Sequence, residues 1–202
     1  MKFDFDEPKK KPLGKRIIKE ILIWAIEIAA VIALAYGIIQ YAVEKTEMIG
    51  VSMESTLNDG DEIIINKLSY RLHDPERFDV VVFKQSNREH SYYNVKRIIG
   101  CPGETVQIID NVIYINGEAI DDDVITDGMN NAGLATDVIT LDENEYFVLG
   151  DNRNNSEDSR FANVGNIIRD EIVGKAWIKL KPFTFINQLN RKSETSTADS
   201  SQ

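Results

Sequence analysis

The longest unbroken pattern in the chain is apolar. From Ile21 to Val43 only Glu27 and Gln40 interrupt a run of hydrophobic residues. At about 1.5 Å rise per residue, a helix of that length crosses the ~30 Å hydrocarbon core of a bilayer with some tilt. Ahead of it, Lys9, Lys10, Lys11, Lys15, Arg16 and Lys19 form a basic run with no acid among them. Such a run keeps the N-terminus in the cytoplasm. The pattern predicts a basic cytoplasmic segment over 1–19, a single membrane anchor over 20–43 and a body outside the membrane from Glu44 onward. Glu27 is an acid within the span, accommodated by protonation, by reach toward the interface or by a partner helix. Ala33-Leu34-Ala35 has the small-x-small form of a signal-peptide cleavage site. The apolar run nevertheless continues through Gly37-Ile38-Ile39 and outlasts a usual signal-peptide core, so a retained anchor is expected.

Beyond the anchor the periodicity changes to that of strands. Asp61–Leu68 and Asp79–Phe83 are rich in β-branched residues and bounded by turn formers. Thr105–Ile109 and Val112–Ile115 flank Asp110-Asn111, and Asn116-Gly117 closes a second tight hairpin into Glu118-Ala119-Ile120. Tyr93–Gly100, Glu145–Leu149 and Glu171–Leu180 read as further strands. No other long segment has helical spacing, so a mainly β, antiparallel body over 44–190 is predicted. Residues 121–144 read as an exposed excursion with a short strand at most. The Ser/Thr-rich tail over 191–202 reads as disordered.

Charge sharpens this picture. The 202 residues carry a formal net charge of −10. Residues 1–43 hold 7 Lys/Arg against 5 Asp/Glu, leaving 16 against 28, a net −12, for the rest. A body that acidic is unsuited to nucleic acid, whose phosphates require basic partners. Cys101 is the one cysteine, so no internal disulfide forms.

Eight residues separate Val43 from Ser52, which lies in Gly50-Val51-Ser52-Met53-Glu54-Ser55-Thr56-Leu57. A serine hydroxyl needs a base within hydrogen-bond reach to act as a nucleophile. The two histidines, His73 and His90, lie in polar, loop-like surroundings, and Gly50-x-Ser52-x-Glu54 lacks the second glycine of a nucleophile elbow. Lysine is the other candidate base. An ordinary lysine, with pKa about 10.4, is protonated at neutral pH, and burial among apolar groups brings it down. Lys96, in Val95-Lys96-Arg97-Ile98-Ile99, has such neighbours and shares a strand face with Ile98 while Arg97 faces the other way. The pattern alone favours a surface strand with both cations in solvent over a buried lysine. A third polar island, Gly150-Asp151-Asn152-Arg153-Asn154-Asn155-Ser156-Glu157-Asp158-Ser159-Arg160, follows a buried-looking strand. It fails as a calcium loop: Arg153 occupies the third position, Ala162 the twelfth, and no glycine stands at the sixth. Asp158 is set to pair with Arg160 or Arg153 and so hold the loop beside a site.

With these islands in this order behind an anchor, the chain resembles the type I signal peptidases, particularly their single-anchor Gram-positive form, over roughly Lys15–Pro182. Gly50–Leu57 looks like the nucleophile motif, Gly60-Asp61 like the strand-starting motif, Lys96–Glu104 like the lysine motif, and Gly150–Arg160 like the last. The resemblance implies Ser52 as nucleophile, Lys96 as general base and Ser156 as a hydroxyl bonded to the lysine amine. Asp158 and Arg160 would form a supporting salt bridge, with Asp151 beside them in the same motif. The Ser52 N–H would be an oxyanion donor. Gly50 stands where some relatives have a serine that adds a second donor, and Ser55 where proline is common. The resemblance further implies a serine endopeptidase without metal or cofactor that cuts exported preproteins after a small-x-small site. Its partners would be signal peptides, the lipid bilayer and the secretion translocon. Three alternatives remain to be weighed: a self-cleaving repressor type, excluded by the anchor; a homologue that only binds signal sequences; and a transpeptidase using Cys101.

Overall fold

A computed structural model describes residues 13–85, 92–122 and 128–186. The expectations for Lys9, Lys10, Lys11, the Lys15 side chain, His90, part of the excursion (123–127) and the tail lie outside these residues. The chain divides into two compact units, 1–41 and 42–202.

The first unit is helical. Helix α1 runs Leu13–Ala42, earlier at its start than the apolar pattern alone suggests. Its apolar portion, Arg16–Ala42, spans 27 residues and none of it is buried against protein. That is about 40 Å of helix, long and apolar enough to cross a membrane. Val43, expected to close the helix, instead opens a strand.

The body is antiparallel β, as the period-two patterning predicts. Strands β1 (Val43–Glu47), β2 (Glu62–Asn66), β3 (Val80–Phe83), β4 (Asn94–Gly100), β5 (Thr105–Ile109) and β6 (Val112–Ile115) come first, with a short helix α2 (Ser69–Leu72) after β2. Then follow β7 (Glu118–Ala119), β8 (Ile139–Thr140), β9 (Glu145–Leu149), β10 (Ile167–Ile168), β11 (Ile172–Leu180) and β12 (Phe183–Phe185). The larger sheet has the order β1-β2-β11-β3-β4-β9-β10, with β12 also paired to β11; the smaller is β7-β6-β5-β8. Asp110-Asn111 and Asn116-Gly117 both take positive φ, as their tight hairpins require.

Alternation along the strands divides the interior. Val80 and Val82 of β3 join Met48, Met53, Leu57, Ile63 and Ile65 in one core, while Val81 and Phe83 join Ile98, Val148 and Ile167 in another. A third core, around Ile99, Val106, Ile113 and Phe147, lies under the smaller sheet. The 121–144 excursion is less exposed than its composition suggests. Met129, Ala135 and Leu141 are buried in that third core, so its few apolar residues outweigh its polar majority.

One cross-strand row positions the chemistry. Val43 pairs with Asn66, Asn66 with Lys175, Lys175 with Val81, and Val81 with Lys96. Neighbouring strands lie about 4.8 Å apart, so Lys96 sits level with the first strand residue of the body and roughly 19 Å to its side.

Candidate active site

Ser52 begins a tight turn directly before Met53 and Leu57, which are fully buried and anchor the turn in the first core. Glu54 and Thr56 N–H groups donate to the Val51 and Met53 carbonyls, closing it. Ser55 completes it with φ 85°. That left-handed conformation is closed to proline, whose ring fixes φ near −65°. The substitution noted in this motif therefore goes with a different turn rather than a looser version of the same one. At Gly50 (φ 89°) the N–H donates to Asp59 Oδ1 at 2.6 Å. Nothing lies within 4 Å of where a Cβ would stand. The space for a second hydroxyl donor exists, but the backbone disfavours any L side chain that could carry it. Among the described residues the Ser52 N–H donates no hydrogen bond.

Lys96 lies in the half of β4 that pairs with β3 only; β9 joins from Arg97 onward. The surface-strand alternative is overturned: Lys96 and Arg97 are each 5% exposed. The two cations are handled differently. Arg97 grips Asp151 with two charge-assisted bonds, Nε to Oδ1 at 2.8 Å and Nη2 to Oδ2 at 2.6 Å. Lys96 has no ion pair among the described residues, and its Nζ donates to Ser52 Oγ at 2.6 Å. Burial drives its pKa from 10.5 down to about 8, against the opposing pull of Asp158, Asp151 and Glu157. An amine at that value is about one-tenth neutral at pH 7, against far less than one-thousandth for an ordinary lysine, so a usable fraction is available as a base.

The third island holds these two parts together. Thr56 Oγ1 donates to Asp151 Oδ2, so one carboxylate ties the serine turn to the guanidinium beside the lysine. Asn152 adds its backbone N–H to the Ser52 carbonyl at 3.1 Å and its side chain to Val51 O and Glu54. The expected Asp158–Arg160 bridge is present and bidentate, at 2.8 Å for both contacts, and fully buried. Asp158 also accepts from the Gly150 N–H, which pins the start of the loop to its end. Arg153 pairs instead with Asp122, and Arg160 donates to the Asn131 carbonyl. The excursion thus braces the 150–160 loop, a role its composition did not signal.

Ser156 departs from expectation. Its Oγ is buried and makes no hydrogen bond, so the bond to the Lys96 amine is not formed in this structure. A Cβ on Gly150 would overlap Ser156 Oγ and the Ser52 carbonyl and lie 2.5 Å from Ser156 Cβ. Glycine is required there because serine turn and loop meet backbone to side chain. Sequence reasoning missed Thr56, Asn152 and Asp122. Their chemistry is ordinary, and only the fold brings them to the loop. The remaining candidates do not converge on the site: His73 is exposed, and Cys101 is half-buried with its thiol pKa pushed up by burial and by Glu104. A reactive thiol requires the opposite shift.

Comparison with known proteins bears on the family of the chain. The sequence model of the family described as signal peptidase, peptidase S26, matches residues 21–180. The chain is similar to a probable signal peptidase I-2 of Synechocystis, 34% identical over 167 residues, covering 81% of this chain and 74% of that one. It is also similar to signal peptidase IB of Staphylococcus aureus, 35% identical over 183 residues, with 82% and 92% covered. A crystal structure of a signal peptidase I from Enterococcus faecalis aligns at 31% identity over 51% of this chain and 97% of that one, with TM-score 0.42.

Proposed function

The chain belongs to the signal peptidase family, peptidase S26, and from that premise we propose that it removes N-terminal signal peptides from exported preproteins, with Ser52 as nucleophile and Lys96 as general base. One observation carries the residue assignment: the Lys96 amine, buried and shifted to about 8, stands 2.6 Å from the Ser52 hydroxyl. Neutral Lys96 accepts the Ser52 proton as the oxygen attacks the scissile carbonyl. The Ser52 N–H stabilises the oxyanion, a contribution of about 10²–10³ in rate for one donor. The ammonium then gives its proton to the leaving amine. Deacylation repeats the cycle, with water in place of the serine. The part of β4 that has no second partner strand among the described residues offers its edge to an extended substrate, which supports recognition as an added strand.

We read α1 as a single membrane anchor with the N-terminus cytoplasmic and the body outside, which brings the site to signal peptides held in the same bilayer. Cleavage after a small-x-small sequence, the domain bounds 1–19, 20–42, 43–190 and 191–202, and the translocon as a partner belong to this reading. Preprotein cleavage in detergent by wild type, Ser52→Ala and Lys96→Ala tests it. Both variants should lose at least about 10³ in kcat while remaining folded. Substantial cleavage by Ser52→Ala would overturn the assignment.

A further inference from the structure

The proton route fixes where the departing half of a substrate lies. Ser52 Oγ bonds to the acyl carbon, while the Lys96 amine, 2.6 Å from that oxygen, hands its proton to the leaving nitrogen. The residue that follows the cut therefore departs past Lys96, toward the groups that surround it. The 150–160 loop supplies them. Ser156 Oγ and the Ser52 carbonyl oxygen both lie within 2.4 Å of the point where a Gly150 Cβ would stand, which sets Ser156 against the serine turn.

Three carboxylates of that loop, on Asp158, Asp151 and Glu157, act on the charge of Lys96. Two of them are structural. Asp158 and Asp151 are buried, the first gripped by Arg160 and the second by Arg97. Glu157 directly follows Ser156, is exposed, and has no ion pair among the described residues. Its Oε2 accepts from Asn163 Nδ2 at 2.9 Å, a bond that holds the carboxylate without neutralising it. It is thus the one solvent-facing, uncompensated charge among the three.

We propose that Glu157 selects the residue that follows the scissile bond, favouring a cationic side chain there and disfavouring an acidic one. A carboxylate with no cation of its own attracts a basic side chain without first giving up a partner, and repels an acidic one. The same charge is complementary to the ammonium that the released amine becomes in water. The proposal rests on the peptidase reading of Ser52 and Lys96.

The test gives the full chain in detergent three preproteins, alike except for Lys, Gln or Asp directly after the cut. Wild type should process the Lys form about tenfold faster in kcat/KM than the Asp form, with Gln between, and about 1 M salt should shrink that ratio. Glu157→Gln should bring the ratio to about two, and Glu157→Lys should invert it. Glu54→Gln removes a carboxylate from the serine turn and Glu118→Gln one from β7; both should keep the ratio. Equal rates for the three forms in wild type overturn the proposal without any variant. So does a ratio that survives both changes at Glu157. A ratio that falls as far in Glu54→Gln or Glu118→Gln also overturns it, because the discrimination then comes from the serine turn or from the net charge of the body. The two readings fail differently: wild type that processes none of the forms removes the peptidase reading and this proposal with it, whereas equal processing of all three removes this proposal alone.

Discussion

Two adjacent cations show how neighbouring residues are assigned opposite tasks. Arg97, given a carboxylate, stays charged and structural; Lys96, given burial and a hydroxyl, is brought to the edge of neutrality. On the proposal that neutral Lys96 is the base, the rate should rise with pH through an apparent pKa of about 8, as read from a kcat/KM profile. A profile flat from pH 6 to 10 would contradict a lysine base. The same shift acts on stability. Folded Lys96 loses its proton near 8 and unfolded lysine near 10.5, so the unfolded chain binds more protons between those values. Stability from this group therefore rises with pH across that window, and the full penalty, on the order of 3 kcal/mol, applies below it. Lys96→Met should be inactive and yet unfold at a higher temperature at pH 7, a trade of stability for activity. Ser156 offers a different signature. With no hydrogen bond to lose in the resting state, Ser156→Ala should leave the melting temperature nearly unchanged. If the hydroxyl meets the lysine amine during turnover, kcat should fall about tenfold. Unchanged kcat would exclude that role.

At the scale of elements, the site is three segments held by buried charge. Asp151 joins the serine turn, through Thr56, to the lysine strand, through Arg97. Removing its charge strands a buried guanidinium, so Asp151→Asn should destabilise by about 3–5 kcal/mol in denaturant titrations and impair cleavage as well. Much of this architecture was legible beforehand. Strands β5, β6 and β9 fall where alternation and hairpin turns put them, because local pattern and tertiary burial agree there. That Ser52 and Lys96 should meet and that Asp158 should pair with Arg160 was expected from their motifs, and both contacts are present. Strand β1 was not, since Val43–Glu47 lacks an apolar run and owes its form to pairing with β2. The bracing of Arg153 by Asp122 was equally hidden, because sequence spacing carries no sign of which distant carboxylate a buried guanidinium will find.

Across the whole molecule, α1 and the catalytic body are joined with no linker: the helix ends at Ala42 and β1 starts at Val43. Four alanines inserted after Gln40 lengthen the helix by about 6 Å. On the anchor reading, cleavage of a membrane-inserted preprotein should then drop about tenfold while a short soluble peptide is cut at nearly the normal rate. Equal loss on both substrates would point to damage to the fold instead. The row of residues from Val43 to Lys96 gives this a further meaning. Sheet register admits only whole-residue steps, and a single step moves a side chain by about 3.3 Å and turns it to the opposite face. The level of the Lys96 amine is thus digital rather than adjustable. A slipped strand does not cut slightly higher or lower on its substrate; it removes the lysine from the serine altogether, so errors in assembly yield silence rather than misplaced cuts.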